Sequence, residues 1–576
     1  MDVMVIKEGT IVTPYSMYQA DVKVVDGVIT AIAKDIEPEG TVIDAKGKLV
    51  LPGAVDVHTH LELPFNGTTS ADDYYDGTVA AAFGGTTTVF NYLNQIKGES
   101  LHDRYLRDKQ SAEKKACIDY AFHFGITNWN ETTKQEMKEA VNDGVTSFKV
   151  YTTYREDNMM MDEAGLCEIL AYGKEENLLI CVHAENNPLL EYRRKKYAGE
   201  GHTSPWYHYL SRDEMVEAQA DKTIVYFAEK MNAPVYIVHL ANAEGYEEVK
   251  KAKEKGIPVL AETCPQYLEF TSDVYKREDA EKFVCSPPMK GEESRLALRE
   301  GVKQGVIDVM ATDHCPFTLE QKALGKDDFR KIPNGCMGVE NRYPYMLSMA
   351  VNGELSYSDV VRMCCYHPAK YFGCETKGSI EPGKDADLVI FNPEGKVTVT
   401  PTFVADNGSQ TESKSYSDVK TGDWYADAVK YVSDKGLMSG TGSDKFAPSA
   451  TTTRAMLMTV LARYAGEDTT GGATWYEKSM EWAKAKGVSD GTNPNANITR
   501  EQLVTMMYRY AGSPKADGKL DSFSDAASVS TYAADAMQWA VANGIVNGSN
   551  GKLNPQNNAT RAEVAAILMR FCEMSK

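Results

Sequence analysis

No run of about 18 apolar residues occurs anywhere in the 576-residue chain, which excludes a membrane-spanning helix. Cationic side chains are outnumbered: 62 Lys and Arg against 82 Asp and Glu give a formal net charge of −20. Affinity for nucleic acid is built on cationic contacts, so a nucleic-acid partner is excluded. The opening residues, MDVMVIKEGTIVTPY, lack the charged-then-apolar order of a secretory leader and give the expectation of a cytoplasmic protein. A disulfide framework is absent too. The 11 cysteines are odd in number, ten precede residue 375, and Cys181 (LLICVHA) and Cys264 (PVLAETC) sit in apolar runs as buried thiols do. Histidine is missing from the last third, since all ten lie at or before His367. At 43% hydrophobic and 25% charged, the chain is neither collagenous nor wholly disordered.

What is present has a clear order. At about 150 residues per domain, this length implies three or four units, or one large barrel with attachments. The first 54 residues alternate polar and apolar positions between Gly-containing turns, the pattern of antiparallel strands, and a similar run returns at KDADLVIFN (384–392). Strands at the two ends of a large insert can pair, so residues 1–54 and 375–398 are expected to form one small β-sandwich. Between them, over 55–374, eight short apolar runs alternate with amphipathic segments: VDVHTH, TTTVFNY, DYAFHFGI, VTSFKVY, LLICVHA, APVYIVHL, PVLAETC and VIDVMATDH. That alternation predicts an α/β fold, a (β/α)8 barrel. A polar stretch at 399–415 reads as a linker. Three imperfect repeats follow, over 416–465, 472–512 and 520–576. Each carries an aromatic-led helix, a Gly turn and a Thr-Arg pair opening a second helix: Thr453-Arg454, Thr499-Arg500 and Thr560-Arg561.

The chemistry lies at the strand ends. His58 and His60 are separated by one residue, so on a strand both imidazoles face the same side. His183 closes the fifth run, His239 the sixth and Asp313 the eighth. In a barrel, the C-terminal strand ends line the active site. Four His and one Asp exceed the three protein ligands of a single catalytic zinc. The surplus points to two divalent ions about 3.5–4 Å apart, and His with carboxylate donors suits zinc. Lys149 in SFKVY is also a strand-end residue without an adjacent acidic partner. By spacing alone it is a salt-bridge partner or a site for a carbamate bridge. His102, His123, His202, His208, His314 and His367 are read as structural, with His314 close enough to Asp313 to reach substrate.

The run DVHTHLELPFNGTTSADDYYDGTVAAAFGGTTTV (56–89) resembles the dihydropyrimidinase/hydantoinase group of the cyclic amidohydrolases, as do SFKVYTTY, CSPP, TDH, IPNG and GVENR. The similarity covers about residues 1–397. It implies a hydrolase of pyrimidine catabolism that opens dihydropyrimidine or hydantoin rings to N-carbamoyl amino acids. It further implies that His58 and His60 hold one ion, and His183 and His239 the other. Lys149, carbamylated by CO2 to N6-carboxylysine, bridges them, and Asp313 binds metal and shuttles the proton. Tyr154 matches the tyrosine that stabilises the oxyanion. Ser286 and Asn334 match residues that hold the cyclic imide, and Leu63, Phe65 and Met159 border the pocket. Thr152 and Thr153 stand where the group has bulkier residues, which implies a widened exocyclic pocket. Dihydroorotate-acting relatives carry an Arg where this chain has Glu62, which would repel a carboxylate. An allantoinase-like hydrolase is the nearer alternative. Members of the group continue beyond the strand matching DADLVIF and assemble as dimers or tetramers. Here the likeness ends near Val397, so the sandwich is expected to be truncated.

The tail resembles S-layer homology repeats, modules that bind pyruvylated secondary cell-wall polymer. The resemblance implies that Arg454, Arg500 and Arg561 pair with the polymer's anionic groups. Wall-binding repeats imply the cell surface, against the cytoplasmic expectation from the N-terminus. A second functional class follows: a wall-associated binding protein whose barrel is weakly active or inactive. Metal content separates the two.

Overall fold

Alternating apolar residues at the N-terminus build five strands, β1 (Val3–Val12), β2 (Met17–Val25), β3 (Val28–Ala33), β4 (Thr41–Asp44) and β5 (Leu49–Pro52). A bulge between Ile6 and Gly9 divides β1. Its first half pairs in parallel with β4 and its second with β5, while β2 runs antiparallel along the other edge. Gly9 is required there, because a Cβ would stand 2.5 Å from Cγ2 of Val50. This computed structural model describes residues 2–395 except 66, and 416–574 except 421, 442–444, 466, 468, 470–473 and 517. The linker expected at 399–415 lies outside the described residues. The chain divides into two units, Met1–Thr398 and Val399–Lys576.

The barrel strands are β6 (Ala54–Thr59), β9 (Thr86–Asn94), β10 (Asp119–Gly125), β11 (Ser147–Tyr151), β12 (Leu179–His183), β13 (Val235–Ile237), β14 (Val259–Thr263) and β15 (Val309–Met310). A two-residue hairpin of β7 (Pro64–Phe65) and β8 (Thr68–Thr69) stands above β6. Strand order is β15-β14-β13-β12-β11-β10-β9-β6, with parallel pairing throughout. The ring closes past the end of β15, where His60 N donates to His314 O at 2.8 Å and Thr59 bridges in parallel to His314. Closure therefore falls at the expected ligand strand. Val55, Val57, Phe90, Tyr236, Val238 and Val309 fill the lower interior, capped by Phe372. The upper interior is polar.

β16 (Leu388–Phe391) returns to pair antiparallel with β5, giving one continuous sheet in the order β16-β5-β1-β2-β3. Its core is Ile6, Ile11, Val22, Val24, Ile29 and Val50. The strands are joined in one hydrogen-bonded network, because the split β1 pairs with both β4 and β5.

In the second unit each repeat contributes two helices, 426–434 and 454–464, 477–485 and 500–510, and 534–542 and 561–574; they pack across repeats, 454–464 on 477–485, 500–510 on 534–542, and 561–574 on 426–434. Thr453 and Thr499 cap their helices through the side-chain oxygen. The arginines close a cycle. Arg454 Nε donates to Thr492 O at 3.0 Å, Arg500 Nε to Leu553 O at 2.9 Å, and Arg561 Nε to Phe446 O at 2.8 Å. Each repeat reaches into a loop of the next, and the third returns to the first.

Candidate metal centre and active site

β6 carries His58, and His60 follows just past its last residue, two positions on. Asp313 meets both, with Oδ1 at 3.1 Å from Nε2 of each imidazole. Facing them, His239 Nε2 lies 2.9 Å from His183 Nδ1. The His58 and His239 rings stack at 5.4 Å, so the two sets share one space. His183 ends β12, whereas His239 and Asp313 lie just past β13 and β15, with φ of 39° and 52°. Left-handed backbone at non-glycine residues is strained, and here it turns two side chains back over the barrel mouth.

Lys149, on β11, is 2% exposed and places Nζ 2.8 Å from His58 Nε2 and 4.4 Å from the Tyr92 ring centre. Among the described residues, no carboxylate forms an ion pair with it, and burial pushes its pKa down. Burial takes His60 down to about 4 and lowers His183 and His239, which leaves neutral imidazoles with lone pairs available for a cation. Burial alone would raise the Asp313 carboxyl, but the His58 and His60 imidazoles outweigh it and hold it well below the usual carboxylate range. His60, His58 and Asp313 offer ligand atoms all within 4.8 Å of one another. The His60 and His239 Nδ1 atoms are buried without a partner. Imidazole nitrogens and a carboxylate converging in one buried space are the donor types of a divalent cation, so these residues fit a metal centre. The acidic triplet Asp119, Asp385 and Asp387 is different, since Lys377 Nζ bridges all three at 2.5–3.1 Å.

A layer that the sequence reading passed over holds the ligands. Glu262 on β14 is fully buried. It accepts from His58 Nδ1, from Tyr236 Oη at 2.8 Å and from the His239 N–H at 3.0 Å. His183 Nε2 donates to Glu185 Oε2 at 2.8 Å, and Glu185 pairs with Arg212. Burial would raise Glu185, but Arg212 and His183 reverse that and take it to about 2. A carboxylate behind a ligating imidazole fixes its tautomer and raises its basicity. Glu262 had a signal, a charged residue within the apolar run PVLAETC. Arg212 had none.

Tyr154 has φ of 66°, its ring lies 5.2 Å from that of His183, and burial raises its phenol, so it stays a proton donor. Asn334 Nδ2 donates to Ser286 Oγ at 3.1 Å, which joins the two expected imide-holding segments. Leu63 and Phe65 lie on and before the β7–β8 hairpin. Leu63 N donates to Ser70 Oγ, which in turn donates to His60 O at 2.8 Å. Met159 lines a cleft beyond the ends of β9, β10 and β11.

Thr152 Oγ1 donates to Glu185 O and accepts the Glu185 N–H, each at 2.8 Å, and Thr153 Oγ1 donates to Asn187 Oδ1, so both brace the loop after β12. Two readings change. Glu62 is held by Lys115 and Ser111 on helix 101–115 and is already neutralised. The ring nitrogens of His314 are both occupied, by Asp72 at 2.9 Å and the Gly338 N–H at 3.1 Å.

Comparison with known proteins agrees with this geometry. A sequence model described as the amidohydrolase family matches residues 49–441, and one described as the S-layer homology domain matches 467–504 and 522–565. A D-hydantoinase from Rhizobium radiobacter is 39% identical over 403 residues, 69% of this chain and 88% of that protein. A dihydropyrimidinase from Dictyostelium discoideum is 37% identical over 406 residues, covering 69% and 80%. The crystal structure of a dihydropyrimidinase from Brevibacillus agri superposes with a TM-score of 0.66 at 38% identity, covering 68% of this chain and 86% of that one.

Proposed function

We infer the reaction from a premise of kinship: the chain belongs to the amidohydrolase family, and its relatives named for hydantoin and dihydropyrimidine hydrolysis share its barrel. It is a hydrolase of cyclic amides that opens a dihydropyrimidine or hydantoin ring to an N-carbamoyl amino acid. The observation that carries this is the convergence of His58, His60, His183, His239, Asp313 and Lys149 in one buried space. His58 and His60 would hold one divalent ion and His183 and His239 a second, with zinc the metal best matched to these donors. Bound there, the ions supply Lewis acidity, lowering the pKa of a water and polarising a carbonyl. Lys149 is suited to bridge them as its carbamate. Burial lowers the pKa of its amine and so enlarges the share of the unprotonated form, whose lone pair attacks CO2 with loss of one proton.

Asp313 takes a proton from the attacking water as oxygen joins the ring carbonyl carbon. The Tyr154 hydroxyl donates to the oxygen that gains charge. The ring C–N bond then breaks, and Asp313 returns the proton to the leaving nitrogen. Ser286 and Asn334 hold the imide through backbone groups, and Leu63 and Phe65 bound the exocyclic side.

The tail associates the chain with the cell surface through its S-layer homology repeats. We take their ligand to be an anionic wall polymer, with Arg454, Arg500 and Arg561 as candidate contacts. Each guanidinium also braces a neighbouring repeat, so a binding test has to control for folding.

The deciding experiment is hydrolysis of dihydrouracil and hydantoin by zinc-loaded protein beside Lys149→Ala. Ring opening by the wild type, lost in the variant along with bound metal, supports the assignment. Zinc-loaded wild type that opens neither ring overturns it.

A further inference from the structure

Beyond the metal ligands, one short helix touches the segments that carry Ser286 and Asn334 and also the β7–β8 hairpin. It spans Leu319–Ala323 and follows Asp313 on the same loop. Lys322, 2% exposed, spends all three ammonium protons on carbonyl oxygens, those of Val284, Pro333 and Gly335, each at 2.7 Å. Those carbonyls flank Ser286 and Asn334. Val284 O also accepts the Gly335 N–H at 2.9 Å. Among the described residues, no carboxylate pairs with Lys322. A buried ammonium matched only to carbonyl dipoles is costly to desolvate and contributes through the geometry that it fixes.

The preceding residue holds the opposite wall. Gln321 Nε2 donates to Thr68 Oγ1 at 2.7 Å and to Thr69 O at 2.8 Å, both on β8, which pairs with the strand carrying Phe65. Its Oε1 accepts the Thr318 N–H at 2.7 Å, which completes the helix cap.

We propose that helix 319–323 is a two-sided clamp: Lys322 positions the ring-binding segments around Ser286 and Asn334, and Gln321 positions the β7–β8 hairpin that sorts ring substituents. Both are positioning residues, acting through the groups that they hold. The proposal rests on the ring-opening reading for its kinetics, but not for its structural arm.

The two sides separate by substitution. Lys322→Met keeps the stem and removes the donors. Its KM for hydantoin and for dihydrouracil should rise together, by about tenfold or more, with kcat and zinc content little changed, since ground-state and transition-state holding are lost equally. Lys322→Arg, which retains donors, should recover part of the loss. Gln321→Glu keeps the cap acceptor and removes both donors to β8. It should change the ratio of kcat/KM between a 5-substituted and an unsubstituted hydantoin by about tenfold. In the full-length protein without substrate, Lys322→Met should speed amide hydrogen exchange at Gly335 and residues 284–286, and leave β6 and β12 unchanged.

Unchanged exchange at Gly335, or a Lys322→Met that lowers kcat at constant KM, overturns the Lys322 assignment. A Gln321→Glu that weakens both hydantoins equally overturns the Gln321 assignment. Wild type that opens no ring refutes the catalytic reading alone, and the exchange result still judges the clamp.

Discussion

Glu262→Gln is the sharpest test of how the centre is held. Two donors meet at Oε1, the His58 Nδ1–H and the His239 N–H, and one at Oε2, the Tyr236 hydroxyl. Glutamine is nearly isosteric. With its carbonyl oxygen in the Oε1 position, both donors there keep an acceptor. Its NH2 then faces Tyr236, whose hydroxyl can turn and accept. Packing and hydrogen-bond count survive, and the change removes one negative charge from behind His58. Loss of such a partner weakens metal affinity by about 10–100-fold, about 1.4–2.7 kcal/mol. The assay is equilibrium dialysis in zinc-buffered solution with metal content read by atomic emission, beside thermal melting of the metal-free protein. The expected result is weakened binding at an unchanged melting temperature. Zinc affinity equal to wild type at an equal melting temperature would refute the reasoning, since Glu262 would then only fill space. A large fall in melting temperature would place its role in folding instead.

Other outcomes follow from the same contacts. Asp313→Asn retains a side chain tolerant of φ near 52° and loses the proton acceptor, so kcat per bound metal should fall by about 10²–10⁴-fold, read by steady-state ring opening. Glu185 has its folded pKa near 2 against an ordinary 4.5, so its stabilisation is full above 4.5 and is lost as pH falls towards 2. Urea unfolding of metal-free protein across that window should show a steeper loss in wild type than in Glu185→Gln, and parallel curves would refute this. Arg561→Leu leaves Phe446 O and Ser439 O without their guanidinium donors, at about 1–3 kcal/mol, and should lower the tail's calorimetric transition while leaving the barrel's in place.

The barrel was legible because parallel strands buried on both faces read as apolar runs, and each of the eight runs overlaps a barrel strand. Their C-terminal limits were less so. APVYIVHL yields only Val235–Ile237, and VIDVMATDH only Val309–Met310. The lost residues are those where the backbone leaves the ladder to turn His239 and Asp313 over the mouth, and alternation carries no mark of that turn. In the small β domain the strands were legible but their pairing was not. The bulge that lets β1 serve β4 and β5 together is a register feature, visible only once partners are known.

The cluster at the barrel mouth was legible for a different reason: residue types that can bind metal are a small set, and five of them fell at strand ends. The residues that orient them are common types in ordinary settings. Glu185 and Arg212 are 27 positions apart, and Glu262 lies 204 from His58. Their meaning comes from burial, since a carboxylate taken out of water has to be matched by donors, and the donors available at the barrel mouth are the ligating imidazoles. The same logic governs Lys322, whose three carbonyl partners are backbone atoms and so leave no trace in residue identity. Sequence therefore locates the side chains that converge at the barrel mouth, while the groups that set their angles are found by following each buried charge to what neutralises it.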